Sequence, residues 1–236
     1  MISIIQMPVF GFGNRLLYYY NLRQFSHMKK VPYHCVPWPA AEFFEGNMLG
    51  ESYVPSSEIL APCLGEHFFK ASGLSTREVF KLKTAVELEP ATCAIHFRGT
   101  DFHTWNPESI LKSEYYLSAL EELKGEINEV YLFTDDRGLE SYKQTKKYLS
   151  DNKVRFFEGQ NTPNRSYFLT DFTVMSMCDT IISSPSTFCI CAGFIGKQKK
   201  IIHSSEWIKN RLANEDKFWC DLSAGGNCDY SLWKIL

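Results

Sequence analysis

Strand-like and helix-like segments alternate through the second half of the chain, and this alternation constrains the fold more than any other feature. Alternating strands and helices form a parallel sheet covered by helices, so we expect an α/β fold here. One helix is expected to begin at a cap on Ser113 and to stop before Gly125. The predicted strands cover 92–97, 129–133, 154–157, 180–183 and 200–202, and the other predicted helices cover 138–149, 166–178 and 186–195.

The first half of the chain shows a shorter version of the same pattern. A strand is predicted in 1–7, a long helix in 13–30 and a second strand in 31–36, followed by a segment rich in Pro, Gly and Ser. The sequence pattern changes near Leu88-Glu89-Pro90, from this irregular segment to the regular alternation of the second half. We therefore expect two Rossmann-like halves, 1–88 and 89–236, whose parallel sheets face a cleft where a ligand binds.

Composition excludes several classes of protein. The net charge of −2 over 236 residues argues against a nucleic-acid surface, which needs clustered cations. No apolar run approaches the roughly 20 residues that span a bilayer, and the start of the chain does not resemble a signal peptide. The eight cysteines form no CxxC pair, so we expect free thiols rather than a zinc site. A cytoplasmic protein is predicted.

Polar residues follow the predicted strands of the second half, where each strand ends. Ligands of open parallel sheets bind at this carboxyl edge. The polar sets are His96, Arg98 and Asp101 after the first strand; Thr134, Asp135 and Asp136 after the second; Glu158 and Gln160 after the third; and Ser183, Ser184, Ser186 and Thr187 after the fourth. Taken singly, each set reads as a surface ion pair or a helix cap, but together they indicate a binding site.

The residue types at this edge suit a phosphate-bearing ligand. Arg98 offers a planar, permanently charged fork of donors that matches phosphate oxygens. The segment Ser183-Ser184-Pro185-Ser186-Thr187 opens a helix, whose N-terminal N–H groups and dipole favour an anion. GFGNRL at 11–16 places a glycine-rich turn, with Gly11, Gly13 and Asn14, between a strand and a helix of the first half. It is neither a full dinucleotide fingerprint nor a Walker A loop.

Four motifs in this order, GFGNRL, HFRGTD, FTDD and DFTVMSMCDTIISSPSTF, resemble those of the α1,2-fucosyltransferase family and, more distantly, of α1,6- and protein O-fucosyltransferases. The resemblance extends from Gly11 to about Trp207, although the N-terminal half is short for the family. It implies a GT-B-like fold and transfer of fucose from GDP-fucose to a glycan, without a metal or another cofactor.

The resemblance also implies roles for individual residues. Arg98 matches the arginine that holds the donor β-phosphate, and His96 matches the histidine that helps to seat the nucleotide. Gly99 stands where the family usually has a second arginine. Asp171, expected to open its helix, resembles the acidic residue near the guanine or at the head of that helix. Ser186 and Thr187 match the phosphate-side hydroxyls, and Gly13 and Asn14 match the N-terminal loop that closes on the donor. Gly11, Asp135, Asp136 and Ser184 are also predicted to bind the donor.

The predicted reaction is an inverting sugar transfer in which Arg98 stabilises the departing diphosphate. The candidate bases for the acceptor hydroxyl are Asp101 and His103, with Glu108 in reserve. Two alternatives stay open. One is a nucleotide-sugar binder without catalysis. The other is a metal-dependent phosphohydrolase with ligands among His96, Asp101, His103, Asp135 and Asp136.

Overall fold

The computed structural model describes residues 1–7, 11–60, 74–159, 167–204 and 233–236. The described residues form two compact units, and the chain passes from the first to the second between Thr84 and Ala85. This point lies slightly before the boundary expected at 88.

The first unit is built on a three-stranded parallel sheet. Its strands lie in the order β2-β1-β3, with Ile2 in register with both Tyr33 and Glu58. The long helix ends where Lys30 adopts a left-handed conformation, with φ of 52°. The elements are β1 (Ile2–Ile4), α1 (Phe12–Lys29), β2 (Tyr33–Cys35), a 3-10 helix (Ala41–Phe43), β3 (Glu58–Ile59) and α2 (Thr76–Val79).

The second unit alternates strands and helices, as the sequence predicts. Its strands are β4 (Thr92–Phe97), β5 (Glu129–Thr134), β6 (Arg155–Glu158), β7 (Thr180–Ile182), β8 (Lys200–His203) and β9 (Trp233–Ile235). Its helices are α3 (Phe102–Trp105), a 3-10 turn (Pro107–Ser109), α4 (Ser113–Glu122), α5 (Glu140–Asp151), α6 (Tyr167–Met177) and α7 (Thr187–Ile195).

The strand order of the second unit is β6-β5-β4-β7-β8-β9, and every pair of neighbours is parallel. Numbered within the unit, this is the order 3-2-1-4-5-6 of doubly wound nucleotide-binding sheets. The chain builds outward from β4 to β6 and then returns to place β7 on the other side of β4. The carboxyl ends of β4 and β7 therefore lie at the topological switch point.

Helices cover both faces of this sheet. On one face Phe97 packs against rings from α4 and α5, with centroids 4.3 Å from Tyr116 and 5.4 Å from Tyr142. On the other face the His96 ring lies 5.8 Å from Phe188 of α7, which contacts Phe172 of α6. Burial of β4 on both faces explains why all six of its residues are buried.

The prediction of an α/β fold with parallel sheets in both halves is confirmed. The strands predicted in the second half lie within one residue of those observed, and the strand predicted at 1–7 is shorter, at Ile2–Ile4. The elements α2, α3, β3 and β9 were not predicted. Ser113 is the first residue of α4 rather than its cap, which is Lys112. Five cysteines among the described residues are free and buried: Cys35, Cys93, Cys178, Cys189 and Cys191. No helix in the described ranges has the length and apolar character to cross a membrane.

Candidate functional site

Arg98 stands immediately after β4 and is held by two carboxylates. Its Nη1 lies 2.5 Å from Oδ2 of Asp135, and its Nη2 lies 2.6 Å from Oδ1 of Asp101. The guanidinium also lies over the ring of Phe102, 5.4 Å from its centroid. The side chain is 29% exposed, so the guanidinium remains accessible at this edge of the sheet.

Asp135 fixes the turn that carries Arg98. Besides the guanidinium, it accepts hydrogen bonds from the backbone N–H of Gly99 at 2.7 Å and from the hydroxyl of Thr100 at 2.8 Å. Three consecutive residues after β4 thus bind one carboxylate that follows β5. Thr100 is a site residue that the sequence analysis missed, because its partner lies 35 positions away in the chain.

Asp136 is positioned by its own loop and binds His103. Its backbone N–H donates to the hydroxyl of Thr134, and its Oδ1 accepts from the N–H of Gly138 at 2.7 Å. Its Oδ2 lies 2.8 Å from Nε2 of His103, which is in α3. The hydrogen bond with His103 is the main cause that lowers the pKa of Asp136 below its ordinary value.

Gly99 allows the loops after β4 and β5 to meet. A Cβ atom at this position would lie 2.7 Å from Cβ of Asp136 and 3.1 Å from Cδ1 of Leu139. Side chains cannot approach this closely without displacement. The arginine that the fucosyltransferase family usually has here would therefore require a different packing of Asp136.

His96 and Ser184 meet at the topological switch point. Nδ1 of His96, on β4, lies 2.6 Å from the hydroxyl of Ser184, which follows β7. Burial, with a smaller contribution from the charge of Arg98, lowers the pKa of His96 to about 3. The imidazole is consequently neutral near pH 7. In this state it serves as a hydrogen-bonding group rather than as a cation.

The segment after β7 opens α7, as predicted. Ser186 is the N-cap, but its side chain makes no capping hydrogen bond, and Thr187 is the first helical residue. The adjacent Ser183 binds Nδ1 of His203 at the end of β8, at 2.5 Å. Burial lowers the pKa of His203 to about 4. Sequence reasoning did not identify this second histidine–serine pair.

Other predicted site residues lie elsewhere. Gly11, Gly13 and Asn14 are at the start of α1 in the first unit. The expectation that Asp171 opens its helix is wrong, because 167–170 are already helical. Its carboxylate lies near Gly159 after β6, about 3 Å from where a Cβ of that glycine would be. Glu158 pairs with Tyr142 and Lys146. Gln160 and Trp207 lie outside the described residues.

No protein-family model matches the chain, and no characterised protein sequence matches it significantly. The fucosyltransferase resemblance therefore depends on the short motifs alone. The described residues provide hydrogen-bonded pairs at the carboxyl ends of three adjacent strands, β5, β4 and β7, with the partly exposed guanidinium of Arg98 among them.

Proposed function

We propose that the protein is an inverting, metal-independent glycosyltransferase that transfers a sugar, L-fucose from GDP-fucose, to a glycan hydroxyl. Its two α/β units would be the halves of a GT-B-like arrangement, with the donor on the second unit and the acceptor on the first. The motif resemblance supplies the donor and the reaction class in this proposal.

The observation that carries the proposal is the position of the polar residues at the switch point. Nucleotides bind doubly wound sheets in the crevice at the carboxyl ends of the strands where the strand order reverses. His96 is in β4, Arg98 follows β4 directly, and Ser184 is the second residue after β7. A neutral buried imidazole and a serine hydroxyl suit the polar groups of a nucleotide, and Arg98 suits its phosphates.

The two carboxylates on Arg98 define how a donor must bind. A guanidinium has five N–H donors, and the described residues take up one on each Nη. A diphosphate can bind the remaining donors or exchange with the more exposed Asp101. As the sugar–phosphate bond breaks, negative charge grows on the leaving diphosphate, and Arg98 would stabilise it electrostatically.

One alternative is favoured by the same ion pairs. Because Arg98 is already paired with Asp101 and Asp135, less of its charge is left to stabilise the negative charge that grows on a leaving diphosphate, which suits a nucleotide-sugar binder without catalysis. The phosphohydrolase alternative has less support, because in the described part of the chain no three His, Cys, Asp or Glu residues are grouped as metal ligands.

Two measurements test the proposal. The first is calorimetric titration with GDP, UDP and ADP, and the second is the rate of GDP release from GDP-fucose. We expect selective binding of GDP. Arg98→Ala should lower the rate of GDP release by about 100-fold or more, since one charged donor to a developing oxyanion contributes roughly that factor. Arg98→Lys should recover only part of the rate, because lysine keeps the charge but lacks the planar fork.

Arg77→Ala provides a matched control, since Arg77 is an exposed arginine in α2 of the first unit. This variant should keep the wild-type rate. Thermal melting of each variant separates loss of function from loss of folding. A folded Arg98→Ala protein with the wild-type rate would contradict the proposal. GDP binding without release of GDP from the donor would favour the non-catalytic binder.

A further inference from the structure

We infer that His103 and Asp136 form a catalytic pair in which Asp136 orients His103 and His103 removes the proton from the attacking hydroxyl. This inference rests on the proposed function and names the base that the sequence left open among Asp101, His103 and Glu108. It also assigns Asp136 to the acceptor side of the reaction rather than to the nucleotide.

The first observation is the fixed orientation of the pair. Asp136 binds Nε2 of His103 through Oδ2 and the N–H of Gly138 through Oδ1, so both carboxylate oxygens are engaged. Nδ1 of His103 has no hydrogen-bond partner among the described residues, and the side chain is 54% exposed. In this arrangement the carboxylate binds one ring nitrogen and orients the imidazole, while the second nitrogen stays accessible to act as a base.

The second observation is that the same turn holds His103 and Arg98. The N–H of Phe102 donates to the carbonyl of Gly99 at 2.7 Å, which starts α3 directly after the Arg98 turn. The guanidinium of Arg98 lies over the ring of Phe102, the residue before His103. A base and the cation that stabilises the leaving group are thus carried by six consecutive residues.

The competing bases are less suitable. The carboxylate of Asp101 lies 2.6 Å from Nη2 of Arg98, so it is already engaged by the guanidinium. Glu108 is exposed on the 3-10 turn, and no described residue orients it. His103 alone among the three has a partner that orients it and leaves its basic atom accessible.

The proposed step conserves atoms and charge. The acceptor O–H proton moves to Nδ1 of His103, and the acceptor oxygen bonds to the anomeric carbon. The bond from that carbon to the diphosphate oxygen breaks, and its electron pair leaves with the nucleotide. Asp136 stabilises the imidazolium that forms. The charge of Lys143 also acts on Asp136, and the charged groups of the adjoining turn are Arg98, Asp101 and Asp135.

GDP release from GDP-fucose, with water as the acceptor, tests the pair. His103→Ala should lower the rate by about 100-fold, the usual contribution of a general base, while Kd for GDP stays within about twofold of wild type. Added imidazole should restore part of that rate, a result that a purely structural role would not produce. Asp136→Asn keeps a hydrogen-bond acceptor but removes the charge that stabilises the imidazolium, so it should lower the rate by about 100-fold or more. His27→Ala, at an exposed position of α1, is the control.

The outcomes separate this inference from the proposed function. If Kd for GDP weakens in step with the rate, or if imidazole restores nothing, His103 binds the donor or supports the fold, and the inference is overturned while the transferase proposal stands. If the wild-type protein neither binds GDP nor releases it from GDP-fucose, the proposed function fails and the pair has no acceptor to activate.

Discussion

Arg98 is bound by two aspartates that differ in what else they do. Asp135 also binds the Gly99 N–H and the Thr100 hydroxyl, so it maintains the shape of the turn. Asp101 is 58% exposed, and its ion pair with Arg98 joins two residues of the same turn. An exposed ion pair of this kind contributes little to stability, on the order of 0–1 kcal/mol. The charge of Asp101 therefore matters more to an incoming anion than to the fold.

Asp101→Asn should strengthen GDP binding, by about three- to tenfold, because it removes a negative charge that competes with phosphate for Arg98. The unfolding free energy should change by less than about 1 kcal/mol. Calorimetry and urea unfolding measure the two quantities. Asp151→Asn is a suitable control, because Asp151 forms an exposed ion pair with Lys147 in α5.

The same variant distinguishes the candidate bases. If His103 is the base, Asp101→Asn should retain GDP release from GDP-fucose at a rate within a few-fold of wild type. A loss of about 100-fold with GDP binding intact would instead identify Asp101 as the base.

At the scale of elements, the loops after β4 and β5 interlock. Register pairing of Phe97 with Thr134 ends both strands at the same level, so the residues that follow meet side by side. Gly99 then packs directly on Cβ of Asp136. The two loops consequently have one joint conformation, which fixes the Arg98–Asp135 and His103–Asp136 pairs together.

Gly99→Ala should destabilise the second unit by about 1–3 kcal/mol, the usual result of forcing a methyl group into an occupied space. A double-mutant cycle with Asp136→Gly, measured by urea unfolding, checks the cause. The glycine removes the Cβ that the new methyl group would meet, so the double variant should lose less stability than the sum of the single variants. Strict additivity would mean that the two residues do not interact.

The elements that the sequence predicts are those specified by local patterns. Continuous apolar runs of strand length predict the strands. The polar residues that follow these runs then place Arg98 and Asp135 at the carboxyl edge of the sheet. The helix α3 has only four residues and is anchored by the Gly99 carbonyl, which is a tertiary feature. The strand β9 has only three residues, Trp233–Ile235, which is too short an apolar run to indicate a strand from sequence. The hydrogen-bonded pairs of the site were also not predicted. Residue types suggested their individual members, but the partner of each member comes from another loop.

At the scale of the second unit, two buried histidines lie on either side of β7. His96 binds Ser184 and His203 binds Ser183, so consecutive serines after one strand each bind Nδ1 of a histidine on a neighbouring strand. Burial lowers the pKa of His96 to about 3 and that of His203 to about 4, both below the ordinary value of 6.5. Each histidine therefore stays neutral in the folded protein under conditions in which the unfolded chain takes up protons.

This difference predicts how stability depends on pH. Above about pH 6.5 both histidines are neutral in the folded and the unfolded chain, and their contribution is constant. As the pH falls below 6.5, the unfolded chain binds two protons that the folded unit does not. The unfolding free energy should then decrease, by up to roughly 1.4 kcal/mol per pH unit for each histidine.

Urea unfolding between about pH 5 and pH 6.5 isolates this effect. Asp136 and Glu158 also have pKa values lowered by folding, from 3.8 and 4.5, so their contributions are lost only at lower pH. His203→Gln should remove about half of the slope, whatever its effect on absolute stability, because one titrating group is gone. The exposed His27→Gln should leave the slope unchanged. A stability that is constant over this range would mean that the folded unit also accepts these protons. In that case His96 could not remain a neutral hydrogen-bonding group at the switch point.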